Sequence, residues 1–201
     1  MESTYEKAYK VLVHINDNMI PLIDETYEHD YKDITKLIQK HECLNRSRSI
    51  TNIAIQCLNG GYESEEFRNK NIASYLNDLK QQGSYLDRES DSLGVMLANY
   101  KDLYVKNRTN IAQDNVDLLN ELKLGVSNGD DLFNQAASLG NKIKDFVENE
   151  LYKAHEEFVE RMKTLGHKYC DTIESYYTSI KKQDSNLLPS LRNTTWSSLE
   201  F

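Results

Sequence analysis

Proline is nearly absent from this chain of 201 residues: Pro21 and Pro189 are the only two, and there are eight glycines. Few positions oblige regular structure to stop, so long uninterrupted elements follow. Apolar runs are short as well. No stretch approaches the roughly 18–20 consecutive apolar residues that span a bilayer, and the opening MESTYEKAYK lacks a basic cluster followed by an apolar run. The expectation is a cytoplasmic protein. Cys43, Cys57 and Cys170 are odd in number and far apart, which suits reduced thiols better than a disulfide framework. The Asn-x-Ser/Thr matches at Asn45, Asn107 and Asn193 then carry no expectation of glycosylation. There is no phosphate-cradling glycine loop, Walker pattern or dinucleotide fingerprint, so neither an enzyme nor a cofactor is expected.

Charge of one sign is also scarce where it would matter for nucleic acid. The formal charge is −8, but residues 1–58 hold 9 acids against 7 bases, 64–124 hold 10 against 8, and 135–182 hold 8 against 8. Half of the excess acid lies in the short remaining turns and at the C-terminus. Phosphate binding needs clustered Lys and Arg, so nucleic acid is excluded as an expected partner. A composition that is 39% hydrophobic and 28% charged is that of a folded chain.

What is present is helical periodicity. NGGYES at 59–64 and LGVSNGDD at 124–131 combine Gly with turn and cap formers and divide the chain into three long segments. In the first, Ser3 and Glu6 have capping-box spacing. An apolar series then runs through Tyr5, Tyr9, Leu12, Ile15, Met19, Ile23, Tyr27, Ile34, Ile38 and His41, resuming at Ile50, Ala54 and Cys57. Pro21 interrupts it and predicts a kink or a split. The second segment has a seven-residue row of Ile72, Leu79, Leu86, Leu93 and Tyr100. A companion row runs Leu76, Gly83, Ser90, Leu97, Tyr104, Ile111 and Leu118. Gly83 and Ser90 would admit a close backbone approach. In the third, apolar positions step by 4, 3 and 4 and repeat every eleven: Val147, Leu151, Ala154; Phe158, Met162, Leu165; Tyr169, Ile173, Tyr176; then Ile180. Extended backward, that register includes Ala136, Gly140 and Ile143.

These patterns predict an all-α fold: an elongated antiparallel bundle or coiled coil of three long helices over residues 1–182, the first kinked near Pro21, with a flexible C-terminal tail at 183–201. Thirteen tyrosines are hard to bury in so thin a rod, which predicts a homodimer or a helical hetero-complex.

The candidate chemical groups are modest. Glu156, Glu157, Glu160, Arg161 and Lys163 have the spacing of solvated helix-surface ion pairs. His41 with Cys43, and His167 with Cys170, supply two potential metal ligands each where zinc needs three or four, so no metal is expected. RSRS at 46–49 reads as an exposed helix turn. The expected function is a non-catalytic scaffold or adaptor that mediates protein–protein assembly. Its candidate contacts are Phe158, Met162, Leu165, Tyr169, Ile173 and Tyr176, most of them core, and the tail anchors Trp196, Leu199 and Phe201.

In length and in its three long, kinked segments, residues 1–182 resemble a BAR domain, on architecture and without a specific motif. The resemblance implies a dimer that binds curved membranes peripherally through a cationic face. Lys101, Lys106, Arg108, Lys142 and Lys144 would have to form that face, although the near-neutral helices depart from the family's basic character.

Overall fold

The computed structural model describes residues 1–40, 47, 49–52, 54, 55 and 70–183. The described residues are almost entirely helical and include no strand. The expected break at 59–64, His41, Cys43 and the tail lie outside them. Helix α1 (Thr4–His14) leads through a π-helical turn, Ile15–Met19, into α2 (Ile20–Lys40). Helix α3 spans Lys70–Leu124. Helix α4 (Gly129–Asp145), a π-turn at Phe146–Leu151, α5 (Tyr152–Leu165), a π-turn at Gly166–Cys170 and α6 (Asp171–Gln183) follow one another without a break.

The ends of these helices are chemically specified. At α1 the Ser3 hydroxyl accepts the Glu6 N–H at 3.3 Å while the Glu6 carboxylate accepts the Ser3 N–H at 2.8 Å, completing the expected capping box. Helix α3 stops where Gly125 takes a left-handed φ of +65° and its N–H returns to the Glu121 carbonyl. Three residues later the Asn128 side chain caps α4 by accepting the Asp130 N–H at 2.8 Å. The sequence 124–131 therefore forms the expected turn, for the expected reasons.

The π-turns explain the periodicity of the buried positions. The buried stripe runs Ala8, Leu12, Ile15, then jumps five residues to Ile20 and Ile23. It jumps five again from Phe146 to Leu151, and at the third π-turn both Tyr169 and Cys170, four and five residues after Leu165, are buried. Each jump coincides with a π-turn, which holds one more residue per turn than an α-turn and so returns the chain to the same face. Steps of three and four broken by fives imitate an eleven-residue repeat. The true register buries Leu139, Phe146 and Tyr177, whereas the sequence register names their neighbours Gly140, Val147 and Tyr176, which are only half-buried. At the first π-turn the Ile20 N–H reaches back five residues to the Ile15 carbonyl. In a regular α-helix the Pro21 ring would crowd the Asp17 carbonyl, and the wider turn opens that space. The chain thus stays helical through Pro21, with the irregularity placed just before it.

The described residues fall into two compact units, those of 1–35 with 96–158 and those within 36–95 with 159–183. In the first unit α1 packs on α4. The same spacing of 122 residues separates Tyr5 from Ser127 and Asp33 from His155, which are hydrogen-bonded pairs at opposite ends of the contact. The run α1–α2 is therefore parallel to α4–α5. The α3 portion is antiparallel to α2, since Asp24 meets Tyr104 and Arg108 while the later Asp30 meets the earlier Tyr100.

In the second unit Tyr75 faces Tyr176 and Tyr85 faces Tyr169, so the first part of α3 is antiparallel to α5–α6. Ile72, Leu76, Leu79, Leu86 and Leu93 are all buried. At Gly83 the close neighbour is a side chain rather than the expected backbone: a Cβ there would lie 1.8 Å from the Thr51 methyl.

Candidate docking groove

Helix α2 presents three carboxylates to its neighbours in the first unit. Asp24 accepts the Tyr104 hydroxyl at 2.8 Å and both Nε and an Nη of Arg108 at 3.1 and 3.3 Å. Asp30 accepts the Tyr100 hydroxyl at 2.7 Å, and Asp33 lies 2.8 Å from His155 Nε2. Tyr27 stacks on Tyr104 at a centroid distance of 3.9 Å and lies 5.7 Å from Tyr100. Partial burial and the bond to Asp24 push the Tyr104 hydroxyl up to about 12, and burial with the bond to Asp30 drives Tyr100 higher. Burial also raises Tyr27. The Asp24 hydrogen bonds raise Arg108 further. The Tyr100 and Tyr104 hydroxyls are locked donors in their neutral form, and the cluster joins α2 to α3.

At the other end of the same unit the tyrosines behave differently. Tyr5 and Tyr9, one turn apart on α1, are 42% and 52% exposed. The sequence pattern counts them with the apolar stripe, but Ala8, Leu12 and Ile15, further round the helix, take the core. Tyr5 leans over the α3–α4 turn: its hydroxyl donates to the Ser127 carbonyl at 2.7 Å, and Gly129 leaves room for its ring, which a Cβ there would meet at 3.0 Å. With Leu122 and Gly125 the two rings line an open groove of about 830 Å³. Leu124 and Val126, at the adjoining turn, are 73% and 75% exposed. Large apolar groups gathered in one exposed place mark an interaction surface more than scattered ones do.

The groove has charged edges. Glu2, Glu6 and Lys10 line it with the tyrosines. Lys10 Nζ lies 2.6 Å from Glu2, and that hydrogen-bonded ion pair raises the ammonium above its usual range, so it stays charged.

Most of the sequence-predicted contact stripe lies elsewhere. Phe158, Met162, Leu165, Tyr169 and Ile173 are buried within the chain's own units, and Tyr176 is half-buried against Tyr75. Trp196, Leu199 and Phe201 lie outside the described residues. Of the cationic set, Lys101, Lys106 and Lys144 are exposed. Arg108 is bound by Asp24, and Lys142 faces Asp114 at 3.5 Å. Arg161 pairs with Glu89 and Lys163 with Glu160. His167 is exposed and Cys170 buried, so the two do not face one site. Among the described residues no group of three or more His, Cys, Asp or Glu is placed to hold a metal ion. Nor, among them, is any helix long and apolar enough to cross a membrane.

Comparison with family models, with curated proteins and with solved structures finds no match to this chain.

Proposed function

We propose that the chain is a non-catalytic helical scaffold or adaptor subunit of the cytoplasm that holds a protein partner in the groove beside Tyr5 and Tyr9. One observation carries this reading. The long apolar stripes are used up inside the two units, whereas two aromatic rings, Leu122, Leu124 and Val126 gather at the surface around one turn. An elongated antiparallel bundle of three long helices belongs to the proposal, as does assembly into a homodimer or helical hetero-complex. The tail anchors Trp196, Leu199 and Phe201 would provide a second contact. The mechanism is burial of apolar surface, which contributes about 25 cal/mol per Å² removed from water, with charged edges that set orientation.

A photo-crosslinking side chain placed at Tyr9 tests this in cells. The expected result is a discrete protein adduct that does not form from the same probe at exposed Tyr85 in the second unit. Equal or absent labelling at Tyr9 would remove the groove from the interaction. The membrane alternative rests on Lys101, Lys106 and Lys144, with Arg108 and Lys142 already engaged by carboxylates. Salt-sensitive co-sedimentation with anionic vesicles, lost when those three lysines become Gln, would bring it forward.

A further inference from the structure

The groove carries information about its occupant. We infer that it takes an amphipathic helix of a partner protein whose apolar stripe is flanked by Lys or Arg. This rests on the docking reading above and specifies the chemistry of the partner.

Three features point the same way. First, the carboxylates of Glu2, just ahead of α1, and Glu6, in its first turn, line the groove beside Tyr5 and Tyr9. Lys10 pairs with Glu2 and more weakly feels the charge of Glu6, and helical spacing puts Lys7 on the far side of α1. Over residues 1–10 and 121–131 five acids, Glu2, Glu6, Glu121, Asp130 and Asp131, stand against three bases, Lys7, Lys10 and Lys123. Second, the groove lies at the C-terminal pole of α3, whose 55 aligned peptide units end at Leu124. The last carbonyls of a helix lack partners within it and carry partial negative charge, which favours cations. Third, the exposed faces of Tyr5 and Tyr9 can seat a guanidinium or ammonium group by cation–π attraction while they bury aliphatic carbons. The N-termini of α1 and α4 at the same turn carry the opposite partial charge, which Glu6, Asp130 and Asp131 in their first turns offset, so an acidic helix would meet like charge from these side chains. A purely apolar one would gain nothing from the local excess of acids over bases.

The test uses the full chain and three synthetic helical peptides of roughly 18 residues, about five turns each. They share one Leu/Phe stripe and carry Lys/Arg, Gln or Glu on its flanks. Because the chain is acidic overall, site dependence has to be measured together with affinity. The chain is therefore compared with Tyr9→Ala, with Glu2→Gln/Glu6→Gln, and with a charge-matched control, Glu148→Gln/Glu150→Gln, at exposed positions of the same unit. Gln at position 6 retains capping-box chemistry, so α1 keeps its start. The expected result is that the basic peptide binds about three- to tenfold more tightly than the neutral one at low salt. That preference should disappear in Glu2→Gln/Glu6→Gln, persist in the control, and weaken in high salt, with binding itself lost in Tyr9→Ala.

Equal binding of the basic and neutral peptides would overturn the inference and leave the docking groove intact. So would a preference for the acidic peptide, or basic-peptide binding that survives Tyr9→Ala. If none of the three binds, the inference also fails. The Tyr9 crosslink then decides whether a different partner occupies the groove or the docking reading fails with it.

Discussion

Within one compact unit the tyrosines follow two rules. Around Asp24 and Asp30, Tyr27, Tyr100 and Tyr104 stack, and the last two donate their hydroxyls to carboxylates of a neighbouring helix. Near Ser127, Tyr5 uses its hydroxyl only to anchor its tip to a turn, and it leaves its ring, with that of Tyr9, at the surface. The same side chain thus serves as a clamp in one place and as open contact area in the other. The difference lies in what faces it: a carboxylate on a packed helix commits both ring and hydroxyl, whereas a glycine-containing turn leaves the ring's outer face uncovered.

The largest expected effect comes from the buried core. Phe158, 2% exposed, anchors α5, and Phe158→Ala should cost about 3–5 kcal/mol in chemical denaturation. If the stripe were instead a partner surface, the loss would be near zero and would appear in binding.

Next comes the clamp. Asp24→Asn replaces a bidentate, charged acceptor with a neutral amide, and both Asp24 and Arg108 are more than one-third exposed. A loss of about 1 kcal/mol is expected after allowance for solvent screening. In the same variant the absorbance titration of the phenols should show Tyr104 ionising closer to the ordinary 10.0. A Tyr104 transition that stayed at about 12 would mean that burial alone sets it.

The pH dependence follows from the same geometry. The unfolded chain ionises Tyr104 near 10.0 and the folded chain near 12, so over that interval the folded state binds more protons and stability falls as pH rises. The contribution is fully present below pH 10 and lost as pH passes through about 12. Urea midpoints from pH 9 upward should show this decline in the wild type and a shallower one in Tyr104→Phe.

The smallest effect on stability belongs to the groove. Tyr9→Ala should change folding stability by no more than about 0.5 kcal/mol, since Tyr9 is half exposed and α1 keeps Ala8 and Leu12 in the core. A loss of several kcal/mol would show that Tyr9 supports the fold and would erase its contrast with Tyr104.

Much of the helical architecture is legible in the residues themselves. The rows from Ile72 to Leu118 can be read directly because α3 is regular and apolar side chains recur at its natural spacing. The turn at 124–131 announces itself through Gly125 and Asn128. Pro21 signals an irregularity at the first π-turn, but the other two are not legible, because no residue type demands one. They arise where tertiary packing requires the same face after an extra residue, so Tyr176 and Tyr177, or Val147 and Phe146, cannot be ranked by periodicity alone. The groove is hidden for a related reason: tyrosine suits both a core stripe and a wet surface, and only the packing of Ala8 and Leu12 on α4 shows that Tyr5 and Tyr9 face outward. The acidic edge has a faint sequence signal in the excess carboxylates near the turns. What brings Glu2 and Glu6 beside Gly125 is the parallel packing of α1 on α4.

The most direct measurement is fluorine NMR of the full chain labelled with 3-fluorotyrosine, with resonances assigned by Tyr→Phe substitution and the Lys/Arg-flanked peptide as ligand. The account expects Tyr5 and Tyr9 to move as peptide is added while Tyr27, Tyr100 and Tyr104 stay in place. Movement of the clamp tyrosines with Tyr5 and Tyr9 unmoved would contradict it.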